Sequence, residues 1–428
     1  MNRSFLKAAL TALFLCAGAG AAPRTGVIYG PKSIDSPPMA LLAGKVVPIT
    51  SAPIPDGVVL IRNSKILAVG SRDEVKIPPG FKVIRMPGAL LFPGFIEAHE
   101  HMGSRTSARM YDLNDMIQQI NPGLRVLDFI TVDHPEIKRA RAGGVTAVIF
   151  IPGSGTNLSG WGVLMKTWGR TAREALVRYP GVLKTAQAGN PERRFGDLGA
   201  GRMGMNALLR HIYLEGRNYT RAWDDYEKGR TKKEPPFDPS LEPFRDLFHH
   251  KFPVCVHTQI YQPVLSTLRI CGDEFGLWYY PTHSTFDAYK LAKEVKKRGV
   301  FINCGPRKYY FDRKTWEMVG FDREWWKILG DDMLSSNTDA PIVPLEELPL
   351  QAAMASRLGL PPEVAIRGIT INNARLLGVD KRMGSIEKGK DADLVFWTGD
   401  PLDPESHVLM TIVNGHIAYD PNRDGRLF

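Results

Sequence analysis

Pro93-Gly94-Phe95-Ile96-Glu97-Ala98-His99-Glu100-His101 runs from apolar residues into two histidines spaced i, i+2. On a strand, that spacing sends both imidazoles to the same side, and Glu100 between them to the other. Two imidazoles so placed suit chelation of one divalent ion, with nitrogens about 2.0–2.1 Å from a zinc. A His-x-His pair by itself is a weak signal. Its place at the end of an apolar strand, where an α/β region opens, strengthens it.

Downstream of this stretch the pattern alternates between strand and helix. Residues 91–99, 145–151, 163–168, 182–187, 253–257, 278–283, 300–304 and 334–339 predict eight strands. Helical periodicity fills several gaps, among them 262–275, 286–297 and 345–358. Eight such units predict an α/β fold, a parallel (β/α)8 TIM barrel. An open doubly wound sheet is the alternative, but no Gly-rich phosphate loop follows an early strand. Residues 38–92 and the last 45 instead look all-β, with short Val- and Ile-rich runs between turn clusters such as Pro78-Pro79-Gly80. The expected organisation is a leader over 1–22, a β-sandwich built from 23–92 and 381–428, and a metal-binding barrel over 93–380. An insertion over 190–252 should cover the barrel's C-terminal face, where active sites lie.

The 428 residues, 43% hydrophobic and 23% charged, can bury a large core, which excludes a disordered chain. The N-terminus carries Arg3 and Lys7, an apolar run from Ala8 to about Ala17, and small residues up to Ala22. This is the pattern of a secretory signal cleaved near Ala21 or Ala22. The run is shorter than the about 20 residues a membrane span needs. A secreted or periplasmic protein without stable membrane insertion is the expectation. The net charge of +10 is spread along the chain, without a run of five basic residues, so it serves solubility and steering; nucleic acid is not an expected partner. Beyond Cys16, only Cys255, Cys271 and Cys304 remain, an odd count that gives no disulfide framework. Cys255 reads as buried core.

Further polar residues sit at predicted strand ends. His257 follows Pro253-Val254-Cys255-Val256, His283 follows Trp278-Tyr279-Tyr280-Pro281-Thr282, and Asp339 follows Leu334-Ser335-Ser336-Asn337-Thr338. Lys184 lies in the fourth strand. A lone His or Asp at such a place reads as a structural hydrogen-bonder, and Lys184 alone as a lysine snorkelling from a strand end. Four imidazoles and a carboxylate converging at one end of a barrel favour a metal, because buried polar groups left unpaired are costly. His/Asp sites accept zinc, iron or manganese. The expected cofactor is a divalent metal, zinc foremost, as one or two ions.

These features together resemble the amidohydrolase superfamily, in particular its secreted imidazolonepropionase-like and Xaa-Pro dipeptidase-like branch. The similarity rests on residues 58–70, the Pro93–His101 run, Gly143-Gly144-Val145-Thr146, the segment 384–395 and Val413-Asn414-Gly415. The resemblance implies a (β/α)8 barrel with a discontinuous β-sandwich. It implies His99, His101, His257, His283 and Asp339 as metal ligands, and Lys184 as the place of a carboxylated lysine bridging two ions. Asp339 would serve as general base and acid, with His283 either a second-metal ligand or a donor to the oxyanion. Two departures stand out: Glu100 occupies a position that is usually small or neutral in the family, and the relatives usually have Gly-Glu-Asn-Pro after the fourth strand, where this chain has Ala188-Gly189-Asn190-Pro191. The implied reaction is hydrolysis of a C–N bond in a small amide or dipeptide. Asn190, Arg193, Tyr261 and Arg307 are the candidate substrate contacts. A cyclic amide, imide or lactone is the alternative substrate, and a non-catalytic ligand-binding barrel the alternative of another class. A symmetric homo-oligomer is the common state for such enzymes.

Overall fold

The computed structural model describes residues 26–102, 113–128, 130–192, 199 and 201–428. The leader expected over 1–22 lies outside the described residues.

One sheet gathers strands from both chain ends. Met39–Val46, Gly57–Arg62, Lys65–Ser71 and Lys82–Pro93 join Leu394–Trp397, Val408–Val413 and His416–Tyr419. Lys82–Pro93 is the seam, parallel to Met39–Val46 on one side and antiparallel to Leu394–Trp397 on the other. Alternation gives the sheet two apolar faces. Leu41, Val59, Leu91, Phe396 and Ile412 fill one, and Ala40, Leu42, Val58 and Leu60 the other. Asn414 and Gly415, with φ of 51° and 72°, close the last hairpin. A two-residue turn of this hand requires that left-handed pair.

Eight strands form the second unit. They are Phe95–Glu100, Val145–Phe150, a third strand split into Leu158–Trp161 and Val163–Lys166, then Leu183–Ala186, Val254–His257, Tyr279–His283, Ile302–Cys304 and Leu334–Ser336. Every residue in them is buried, which explains their near-continuous apolar character. The first two strands pair in parallel, as do the fourth through the eighth. A parallel bridge between Glu100 and Ala340 joins the first strand to the segment that follows the eighth.

Two features differ from the sequence expectation. The third strand is antiparallel to both neighbours. Its cause is the helix-free connection from Phe150 to Leu158, since a parallel return needs a crossover of about a dozen residues or more. The expected strand 91–99 divides at Gly94, with Pro93 still in the sandwich sheet and Phe95 already in the barrel. Within the segment 190–252, helix Arg202–Glu227 buries Met205, Leu209, Ile212, Tyr213, Gly216 and Trp223 on one face. Gly216 lets Phe244 of helix Glu242–Phe248 approach closely: a Cβ there would lie 2.5 Å from the Phe244 ring.

Candidate metal centre and active site

Strand ends position the polar side chains. His99 lies near the end of the first strand and His101 just past it; His257 and His283 end the fifth and sixth; Asp339 follows the eighth. Lys184 lies within the fourth. The barrel brings all six together. Lys184 Nζ is 3.2 Å from His99 Nε2. Asp339 Oδ1 is 3.3 Å from His99 Nε2 and 3.2 Å from His101 Nε2. The rings of His257 and His283 are centred 4.3 Å apart, and those of His99 and His283 4.6 Å. Ligating atoms lie within 4.8 Å of one another in two sets that share His99: with His257 and His283, and with His101 and Asp339.

Each imidazole is fixed through its other nitrogen. His101 Nδ1 is 2.9 Å from the Ile151 carbonyl, and His283 Nδ1 is 2.6 Å from the Gly305 carbonyl. His257 Nδ1 meets Ser154 Oγ at 2.9 Å, and His99 Nδ1 meets Cys255 Sγ at 3.4 Å. A carbonyl only accepts, so His101 and His283 both donate from Nδ1, and a neutral His283 then turns a lone pair inward at Nε2. Nε2 of His257 and of His283 is buried without a hydrogen-bond partner among the described residues. Buried lone pairs of this kind are costly unless something takes them. Outer hydrogen bonds that set the tautomer are also the way metal-binding imidazoles are held. The donor set therefore fits a divalent metal.

The charges agree with the hydrogen bonds. Burial, then the Lys184 cation, holds His99 well below the usual imidazole value. Burial likewise lowers His257 and His283, so neutral imidazoles face the centre. Burial also lowers the Lys184 pKa. For Asp339 burial acts upward, but His283, His101 and His99 outweigh it and hold the carboxyl well below the carboxylate range.

Glu97 belongs to this site, although the sequence reading did not single it out. Its carboxylate accepts from the His99 N–H at 2.9 Å and from the Thr338 N–H and hydroxyl at 2.7 and 2.8 Å. It thus ties the strand that carries His99 to the residue preceding Asp339. Burial pushes its pKa up to about 8 against those hydrogen bonds. The available signal was alternation, since Glu97, His99 and His101 share one side of the strand. His283 and Asp339 both adopt left-handed backbone, at φ of 63° and 49°. Non-glycine residues hold such angles where the surroundings over-determine them, as at functional sites. Cys255 is fully buried, and its sulfur rests against His99. All three described cysteines are free and buried.

A cavity of about 950 Å³ opens beside the centre, lined by His257, His283 and Asp339 together with Asn190, Gln259 and Arg307 among others. Of the four expected substrate contacts, Asn190 and Arg307 line it. Tyr261 instead opens helix Tyr261–Thr267, its N–H donating to Asp287, and it is not part of the lining. Arg193 lies outside the described residues. A hollow of about 590 Å³ between Phe92, Ile366 and Leu402 contains none of these polar groups.

Residues 320–418 match the amidohydrolase family model. The chain is similar to a solved amidohydrolase from Thermotoga maritima MSB8, with 30% identity and a TM-score of 0.80, over 89% of this chain and 100% of that one. It is 23% identical over 402 residues to the amidohydrolase tasK of Hapsidospora irregularis, covering 85% of this chain but only 40% of that protein's length. It is 24% identical over 369 residues to an imidazolonepropionase of Idiomarina loihiensis, across 81% of this chain and 86% of that one.

Proposed function

The chain belongs to the amidohydrolase superfamily and is a hydrolase acting on C–N bonds, and from that premise we propose that it is an exported, metal-dependent hydrolase of a small amide or peptide. One observation carries the metal dependence. Four imidazoles have their Nδ1 atoms engaged and turn their remaining nitrogens toward one another beside an ionised Asp339.

His99, His101, His257, His283 and Asp339, with Lys184, would hold one or two divalent ions. Such an ion supplies Lewis-acid polarisation of a carbonyl and lowers the pKa of water to about 7. Asp339, kept ionised by three histidines, takes the proton of the attacking water and passes it to the leaving nitrogen. His283 with its proton on Nδ1 offers a lone pair, which favours its role as ligand over that of oxyanion donor. Glu97 positions Asp339 through Thr338. Lys184, a buried amine whose pKa burial lowers, is suited to carboxylation, which would accompany a second ion.

The substrate proposed is a small amide or dipeptide bearing a carboxylate, with Arg307 at the mouth as its counter-charge. Cyclic amides, imides and lactones are the competing class. Export rests on residues 1–22 alone; mass spectrometry of the periplasmic protein should find an N-terminus near Ala21 or Ala22.

Elemental analysis of the purified protein tests the reading first. We expect one or two equivalents of tightly held divalent metal, and cleavage of dipeptides ahead of cyclic imides and lactones. Asp339→Asn should keep metal and lose turnover by about 10²–10⁴-fold. Wild-type turnover in that variant would remove Asp339 from the reaction. A protein that binds no metal after reconstitution and cleaves no amide would be a ligand-binding barrel instead.

A further inference from the structure

We propose that the cavity beside the metal centre recognises two opposite charges on its substrate, a carboxylate at Arg307 and an ammonium at Glu347, so that it takes zwitterionic, dipeptide-like amides. The inference rests on the hydrolase reading only for the position of the scissile bond. Both residues line the same cavity. They stand on neighbouring loops, because the seventh and eighth strands pair directly.

Neighbouring charges are committed elsewhere, whereas these two have no ion pair among the described residues. Lys308, next to Arg307, is buried and bonded to Asp322, Ser336 and the Cys304 carbonyl. Arg307 makes no ion pair among the described residues, and its guanidinium lies 5.3 Å from the centre of the Phe286 ring. That contact leaves its fork of donors free for a carboxylate. On the other loop, Glu346 pairs with Arg139 at 3.1 Å. Glu347, half-buried, has no cationic partner among the described residues. One helical turn further, Gln351 also lines the cavity, and its Oε1 is buried without a partner. A carboxylate beside a vacant amide oxygen is a pair of acceptors, which a protonated amine satisfies. Ile342, Leu350 and Met354 complete this wall with apolar surface. The arrangement also selects against dianions, since Glu347 repels a second carboxylate.

Alanyl-leucine and its N-acetyl, C-amide and doubly blocked forms separate the two charges. The metal-loaded full chain, Glu347→Gln and Arg307→Gln are compared by kcat/KM. In Glu347→Gln the preference for free over acetylated amine should fall by roughly 10- to 100-fold, and in Arg307→Gln the preference for free over amidated carboxylate should fall similarly. Each variant should leave the other preference in place, a crossed pattern that general damage to the site does not produce. Equal losses on all four compounds, or unchanged preferences, would overturn the charge pair while leaving the hydrolase reading intact. If the wild type cleaves none of the four, calorimetry with Asp339→Asn decides. Binding strongest for the unblocked dipeptide and weakened by both substitutions sustains the inference although the hydrolase reading fails. No binding, or binding indifferent to blocking, ends it.

Discussion

At the scale of single residues, the members of the histidine and aspartate cluster could be read from sequence because their spacing and placement are geometric. His99 and His101 share a strand face, and His257, His283 and Asp339 each stand at the end of a predicted strand. Glu97 escaped, since an acidic residue in such a run reads equally as a chance polar position until its partner, Thr338, is seen across the barrel. Glu347 and Gln351 are legible still less, because only the docked helix Leu348–Arg357 turns that loop and helix start toward the cavity. The absent acidic residue before Asn190 is a departure whose consequence nothing in the structure explains. Glu97 also gives a sharp test. In Glu97→Gln the new amide would set an NH2 donor against either the His99 N–H or the Thr338 donors, so one tie must break. The substitution should lower metal affinity or turnover by about 10- to 100-fold, the usual cost of losing an outer partner of a metal ligand. Metal titration with elemental analysis, together with kcat, measures it. Wild-type values for both would mean that Glu97 only fills space.

At the scale of elements, strand existence was legible and strand direction was not. A strand buried on both faces is apolar throughout, and its sequence carries no mark of which way it runs. The third strand was therefore expected parallel, and only the helix-free link from Phe150 to Leu158 reverses it. The same continuity hid the division at Gly94. There the Gly94 N–H donates to the Asp393 carbonyl at 2.8 Å, fixing the point where the chain leaves the sandwich for the barrel. A Cβ at this position would lie 2.0 Å from Thr146 Oγ1, and Thr146 is buried on the second strand. Thr146 is β-branched and cannot swing clear, so the strain passes to the strand that carries His99. Gly94→Ala should cost about 1–3 kcal/mol by overpacking. Denaturant unfolding of Gly94→Ala, Thr146→Gly and the pair closes a double-mutant cycle. The pair should be more stable than the two single losses predict, by at least about 0.5 kcal/mol. Strict additivity would place the cost of Gly94→Ala somewhere other than Thr146.

At the scale of the molecule, the sandwich and barrel are joined by charge as well as by chain. The two-ended sandwich was legible because both chain ends show short β runs. The segment 384–395 was legible only as a family pattern, and the structure supplies its physical content. Lys166, fully buried on the third barrel strand, bonds to Asp393 and lies 3.0 Å from Asp391. Asp391 in turn pairs with Lys65 of the sandwich at 2.6 Å and with Arg382 at 2.7 Å. Burial by itself would raise the Asp391 pKa, but Lys166, Arg382 and Lys65 outweigh it and hold it at about 2. A carboxyl whose folded pKa lies below its unfolded value binds protons more readily when the chain unfolds. Its contribution is therefore whole above the unfolded value near pH 4 and is lost as the pH falls through about 2; a shift of this size corresponds to about 2 kcal/mol. Asp391→Asn should destabilise the protein at neutral pH by about 3 kcal/mol or more, because Lys166, Lys65 and Arg382 lose a shared anion. Urea unfolding of wild type and variant across the acid range should show the gap narrowing below about pH 4, as the wild type loses what the variant already lacks. A gap that stays constant down to about pH 2 would mean that Asp391 titrates alike in the folded and unfolded chain, and that the junction is held by packing alone.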